Sequence, residues 1–442
     1  MYKVGSPLIL QFPHSCCNTL GPLLDMDHQY ITKTSSMRIC HVVALPYPGR
    51  GHINPMMNLC KLVLSRQSRI LITFVVTEEW LGFIATETKP DNVRFATVPN
   101  VIPSELDRAK DFPGFLEAVF TKMEAPFEKL MDEIEVETPV SAIISDTYMR
   151  CAVDVGNRRN IPVATVFPMS ASVFTVFHHH ELLVKNGHFP VELSGAQILN
   201  WAIERFSGVS NAQYLLFTSV YKLEAPVIDN LKAQFPFPVY TIGPTIPYFQ
   251  LIEKSSLVSD YFQWLDSQPS GSVLYVSLGS FRSVSSAQRD EFCWGAQYDD
   301  AGTVVPWCDQ LRVLCHSSIG GFWTHCGWNS TVEAVYAGVP MLTFPITMDQ
   351  VPNSKQIVKD WKIGCRVKKQ VQSDKSLVTR EEISEIVQRF MDLDNGERKE
   401  MRKRARELQE LFRGAVAEGG SQLSNIDAFL KDISQIHSKQ SN

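Results

Sequence analysis

The chain has 442 residues, 44% of them apolar and 20% charged, and a formal net charge of −5. That length exceeds what one compact core holds and predicts two domains of ordinary globular composition. The mild acidity gives no electrostatic case for nucleic-acid binding, and no apolar run reaches the roughly 18 residues that a membrane span needs.

In chain order, residues 1–36 read as a disordered extension or as an upstream stretch wrongly joined to the coding sequence. Leu8, Ile9 and Leu10 form an apolar patch, but Pro7, Gln11 and Pro13 interrupt it, which makes a poor secretion signal. Strands are predicted over Cys40–Leu45, Ile70–Val76, Val93–Val98, Val140–Ser145, Pro162–Phe167 and Tyr214–Ser219. Each is a short apolar run without polar alternation, the pattern of a parallel sheet buried on both faces. A first helix is expected with Asn54 as N-cap and Pro55 at its first position. Gly243–Pro247 closes this half, so the first domain is read as 37–247 and a linker as 248–259. The second domain, 260–442, restarts with Val273–Leu278, Thr303–Pro306, Ile319–Thr324, Val339–Phe344 and Ile363–Val367. Helices follow over Arg380–Asp392 and Glu397–Phe412. Two alternating β/α halves joined by a linker suggest an α/β protein with two Rossmann-like domains facing a cleft. The ten cysteines are scattered without zinc spacing, so a reducing, cytoplasmic setting is expected.

Two stretches carry chemistry. The run Ile319–Thr324 leads through a glycine-punctuated loop, His325-Cys326-Gly327-Trp328-Asn329-Ser330, into a helix-forming segment, Thr331–Ala337. The first N–H groups of a helix lack internal partners, and the macrodipole adds roughly half a positive charge there. With His325, Asn329 and Ser330 as further donors, this favours a phosphate or diphosphate. The other stretch, His41–Pro55, puts His52 in a glycine-rich turn after the first strand. Ligands of α/β sheets bind at such carboxyl ends of strands. Asp146 ends another strand, where it could also serve as a turn cap. Ser330 and Glu333 together also read as a capping box. The run His178-His179-His180 reads as surface rather than a metal site, since adjacent side chains point apart.

From Trp307 to Gln350 the sequence resembles the plant secondary product glycosyltransferase box of plant family 1 UDP-glycosyltransferases. The opening Trp, HCGWNS, GVP and the closing Asp-Gln all fall at the family's offsets. HVVALPYPGRGHINP at 41–55 resembles a second motif of that family. The resemblance implies the GT-B fold, with the last helix crossing back to the first domain. It also implies an inverting transfer of glucose from UDP-glucose to a hydroxyl or carboxyl group of a small lipophilic plant metabolite. It makes His52 the general base and Asp146 its orienting partner. Trp307 would stack on uracil, with Cys308 and Gln310 beside base and ribose; core packing is the other reading of Trp307. Ser280, His325, Asn329 and Ser330 would hold the diphosphate, Glu333 the ribose, and Trp328, Asp349 and Gln350 the hexose. No cofactor or metal is implied beyond UDP-glucose as co-substrate. The expected partners are the UDP-sugar and a small acceptor, and the expected state is a monomer.

Two places are shorter than the family pattern. Between Ser280 and Val304 there is little room for the helix and strand that a doubly wound domain needs there. Either Phe292–Ala296 is a remnant of that strand, or Ser286–Trp294 is the helix and the strand is gone. The second gap follows Gly195, in a loop that borders the family's acceptor cleft. These gaps raise a competing reading, a catalytically impaired homologue or mis-spliced product that at most binds UDP or a small ligand.

Overall fold

A computed structural model describes residues 8–11, 40–187, 203–204, 206–251, 260–280, 285, 287–288, 290–292, 303–305, 308–367 and 377–439. The gap expected after Gly195, residues 252–259 of the expected linker, and Trp307 lie outside the described residues.

Seven strands form the first sheet: β2 (Cys40–Leu45), β3 (Ile70–Thr77), β4 (Val93–Val98), β5 (Ala142–Asp146), β6 (Val163–Phe167), β7 (Tyr214–Phe217) and β8 (Val239–Thr241). Their order is β4-β3-β2-β5-β6-β7-β8, and all neighbours run parallel. β2 and β5 are buried along almost their whole length, which accounts for sequences without polar alternation. The order reverses direction between β2 and β5, so the loops leaving these two strands open the crevice where such sheets take ligands.

The second sheet contains β9 (Val273–Ser277), β10 (Thr303–Val305), β11 (Ile319–Thr324), β12 (Met341–Thr343) and β13 (Gly364–Arg366). It also contains β1 (Leu8–Gln11), which comes from the stretch expected to be a disordered extension. The order is β10-β1-β9-β11-β12-β13. β1 is parallel to both neighbours, with Gln11 level with Ser277 on one side and Val305 on the other. Sequence reading placed these four residues outside the fold because a strand so short, flanked by prolines, carries no signal of its own. Its reason to be ordered lies in two partners far along the chain. Residues 287–288 and 290–292 are helical. Phe292 packs its ring against Trp323 and Phe344. The described part, up to Phe292, fits the helix reading, and residues 293–296 of the strand reading lie outside the described residues.

The first helix runs Arg50–Arg66, not from Asn54. The Gly49 carbonyl accepts from the N–H groups of His52 and Ile53, both at 2.9 Å, and this starts the helix five residues early. Pro55 consequently sits inside it. The last helix, Ser421–Lys439, lies on the first lobe, with Phe429 edge-on to Tyr214 at 5.6 Å. No described helix is long and apolar enough to cross a membrane.

Candidate functional site

The switch point of the first sheet brings His52 and Asp146 together. His52 Nδ1 lies 2.7 Å from Asp146 Oδ2, and the imidazole keeps 22% exposure while Asp146 keeps 2%. The other carboxylate oxygen, Oδ1, accepts from the Tyr148 N–H at 3.0 Å. A carboxylate held this way accepts the hydrogen bond of the Nδ1–H group and leaves Nε2 as the basic nitrogen. Two aromatic rings flank the imidazole, Tyr47 at 4.8 Å and Tyr148 at 6.0 Å between centroids. Arg108, paired with Glu105 at 2.9 Å, braces the turn before His52. A Cβ on Gly49 would meet its guanidinium at 2.4 Å.

The second sheet reverses between β9 and β11, and the loops there carry the other predicted residues. Gly279 has φ +84 and turns the chain so that Ser280 is exposed. The His325 ring lies between two glycines: a Cβ on Gly279 would meet its Nε2 at 2.6 Å, and one on Gly327 at 2.4 Å. Burial pushes His325 down to about 4, opposed by the Ser277 carbonyl, so the ring is neutral near pH 7. Cys326 adopts φ +69 and Met348 φ +54, a left-handed backbone uncommon for such residues and typical of sites held under strain. Thr324 Oγ1 and Asn353 Nδ2 hold the Cys326 turn, bonding its N–H and its carbonyl at 3.0 Å each.

The helix after this turn runs Trp328–Ala337, with Gly327 as N-cap and no side-chain cap. The capping-box reading of Ser330 and Glu333 is therefore excluded. Ser330 lies inside the helix, and Glu333 reaches away from its start. Gln310 Nε2 donates to Glu333 Oε2 at 2.6 Å and to Ser330 Oγ at 2.9 Å. The Tyr275 hydroxyl donates to Gln310 Oε1 at 3.2 Å and lies 3.5 Å from Cys308 Sγ. So Cys308, Gln310, Ser330 and Glu333 form one cluster beside the helix start. Burial pushes Glu333 up to about 7, against the Gln310 hydrogen bond.

The lobes meet at this helix. Asn329 Nδ2 donates to the Gly51 carbonyl at 2.8 Å, one residue from His52. Pro55 explains why that carbonyl is available. It stands four residues on, where a helix would return an N–H, and proline has none. Asp349 faces the same cleft. Burial pushes its carboxyl up to about 6, while Asn353 and the nearby His52 oppose this. Asn353 Nδ2 donates to Asp349 Oδ2 at 2.9 Å. Gln350 turns its side-chain oxygen inward to accept from the N–H groups of Ile346 and Thr347 at 2.8 and 3.0 Å, leaving only its amide N–H groups for a ligand. Trp328 is 3% exposed, and its indole nitrogen has no hydrogen-bond partner among the described residues.

Sequence reasoning missed Tyr275, Tyr47, Tyr148 and Asn353. The first reads as a core residue of β9. Asn353 was within reach, since it stands one helical turn after Asp349. In the histidine run, His178 stacks on Phe174, and His179 Nδ1 contacts the Thr175 carbonyl.

The family described as UDP-glucoronosyl and UDP-glucosyl transferase matches residues 295–387. UDP-glycosyltransferase 87A2 of Arabidopsis thaliana is 47% identical over 441 residues, covering 89% of this chain and 96% of that protein. Among solved structures, Os79 from O. sativa in complex with U2F and trichothecene is similar at a TM-score of 0.76 and 25% identity, covering 89% of this chain and 100% of that one. Phytolacca americana UGT2 complexed with UDP-2fluoro-glucose and pterostilbene gives 0.75 and 24%, covering the same 89% and 100%.

Proposed function

The chain belongs to the plant family 1 UDP-glycosyltransferases, glycosyltransferases of GT-B fold, and from that premise we propose the particular reaction. Glucose moves from UDP-glucose to a hydroxyl or carboxyl group of a small lipophilic plant metabolite, with inversion at the anomeric carbon.

His52 Nε2 takes the acceptor proton as the acceptor oxygen bonds to the anomeric carbon. The bond from that carbon to the diphosphate oxygen breaks, and UDP leaves with the electron pair. Asp146 holds the tautomer and stabilises the imidazolium. The leaving diphosphate is met by the open start of the helix Trp328–Ala337, with Ser280, neutral His325, Asn329 and Ser330 as donors. In this reading those groups do the work that a metal ion does elsewhere. Glu333 takes the ribose, Cys308, Gln310 and Trp307 the base, and Trp328, Asp349 and Gln350 the hexose. The unpartnered indole N–H of Trp328 supports a sugar hydroxyl beside it. The tyrosines flanking His52 support an apolar acceptor, in keeping with the pterostilbene bound by the Phytolacca relative. A cytoplasmic setting fits described cysteines that no disulfide joins to one another, and a monomer belongs to the same proposal.

One observation carries the reading. The imidazole of one lobe and the helix start of the other are brought together where Asn329 donates to the Gly51 carbonyl, one residue from His52. The test is His52→Ala, assayed with UDP-glucose and a panel of phenols. Transfer should fall by about 10²–10⁴-fold, while calorimetry finds UDP binding unchanged. An undiminished rate would remove His52 from the base role. UDP binding by the parent chain without turnover on any acceptor would leave a nucleotide-binding homologue instead.

A further inference from the structure

The nucleotide-binding sheet contains a strand that its own stretch of sequence does not supply. In an order running outward from β9, the next strand along the chain should lie beside β9, and β10 beyond it. Residues 278–302 contain no described strand. β9 and β10 do not pair with each other; β1 lies between them and pairs with both. Four positions match β9, from Leu8 level with Leu274 to Gln11 level with Ser277. Three match β10, from Ile9 level with Thr303 to Gln11 level with Val305. The Arabidopsis relative aligns over 441 residues with 89% of this 442-residue chain, so it carries residues that this chain lacks.

The position matters for the site. Without β1 the backbone groups of β9 and β10 would face a gap one strand wide, about 4.8 Å of extra separation, with unpaired donors and acceptors on both sides. β9 carries Tyr275 and leads to Gly279 and Ser280, while β10 leads toward Cys308 and Gln310. The Tyr275 hydroxyl reaches Gln310 and Cys308 across that interval, and Gln310 in turn holds Ser330 and Glu333. The spacing of β9 and β10 thus fixes one wall of the cluster against the helix start. The chain can deliver the strand to its own sheet: residues 12–39, at about 3.3 Å each, reach on the order of 90 Å.

We propose that Leu8–Gln11 is a replacement strand that completes the nucleotide-binding sheet and positions the Cys308–Gln310 segment for uridine. The uridine part rests on the UDP-transfer reading. Leu10 is level with Val276 and Val304, and proline there removes a donor from a central strand. In the full chain, Leu10→Pro should raise the Kd for UDP at least tenfold. A synthetic peptide of residues 4–13 added in trans should restore binding, and Leu24→Pro, outside the strand, should change nothing. A Leu10→Pro protein that binds UDP as the parent does would overturn the proposal. Hydrogen exchange on the unaltered chain decides the matter even where the variant aggregates. Amides of residues 8–11 should exchange as slowly as those of 273–277, and exchange at free-peptide rates would exclude the strand. Should the parent chain bind no UDP at all, the transfer reading fails, and hydrogen exchange alone judges the strand.

Discussion

The Glu333 carboxyl lies where water solvates its charge poorly, and this sets a pH signature. Its value rises from about 4.5 to about 7, so the folded chain keeps a proton that the unfolded chain has released. The stability this contributes is complete below about pH 4.5 and is lost as the pH rises through about 7. Glu333→Gln has no such titration and keeps an acceptor for Gln310. The parent should therefore lose on the order of 3 kcal/mol relative to the variant across that window, read from melts at pH 5 and pH 8. His325, pushed down to about 4, works in the opposite direction. Its contribution is present at neutral pH and lost as the pH falls from its unfolded value of about 6.5 toward 4. It is common to both proteins and cancels in the difference. If Glu333 binds the ribose hydroxyls as a charged acceptor, the same variant should bind UDP about tenfold more weakly. A more stable protein with undiminished UDP affinity would leave Glu333 a buried acid with no part in the nucleotide site.

Among elements, the helix Arg50–Arg66 has a proline where a helix former would add stability, and the two lobes dock on the carbonyl this leaves free. Pro55→Ala returns an N–H that competes with Asn329 for the Gly51 carbonyl. The expected result is an unchanged or raised melting temperature with transfer slowed about fivefold, the equivalent of about 1 kcal/mol. A rate that follows stability rather than opposing it would show that the docking bond does not matter. Proline and asparagine in this stretch are equally what misled the sequence reading of the helix start. Asn54-Pro55 has the local form of a cap, but the turn at Gly49 nucleates first. Strands such as β3, β6 and β9 were legible because each is a mostly apolar, β-branched or aromatic run between breakers. β1 was not, because prolines flank it and its ordering partners lie far along the chain; nor was β8, whose three residues follow the Phe-Pro-Phe-Pro run 235–238. The cluster of Cys308, Gln310, Ser330 and Glu333 was legible through the resemblance of one stretch to a family motif. The tyrosine that ties it together was not, because an aromatic inside a strand looks the same whether it fills a core or supports a site.

Across the whole molecule, the cleft is clasped on both flanks. On one, Gln356 donates to Ser172 and Glu224 at 2.9 and 3.1 Å, and Glu224 also accepts from the N–H groups that open the helix Ala171–His178, at 2.9 Å. On the other, the helix Ser421–Lys439 returns to the first lobe. Gln422 Nε2 donates to the Ile242 and Pro244 carbonyls at 3.2 and 2.7 Å, and its oxygen accepts from Tyr248 at 2.7 Å. Asp432 accepts from Tyr240 at 2.6 Å, and Arg66 forks onto Asp427 at 2.8 and 2.9 Å. Apolar burial contributes more than these polar contacts. Ile426, Phe429, Leu430 and Ile433 are buried, which at about 1.5–3 kcal/mol each amounts to on the order of 10 kcal/mol as an upper bound. That is comparable to the whole stability of an ordinary domain, so the first lobe depends on a helix that follows the second lobe in the chain. Phe429→Ala should cost about 3–5 kcal/mol and lower the melting temperature on the order of 10 °C. The coupling is visible in how UDP acts. In the parent chain, a nucleotide held by the second lobe should raise a single calorimetric transition. In the variant the first lobe should melt earlier, as a separate transition that UDP does not move. If the variant still melts in one transition, shifted by UDP as far as the parent's, the last helix is not what joins the lobes, and the Gln356–Glu224 flank and the Asn329–Gly51 bond must carry the coupling.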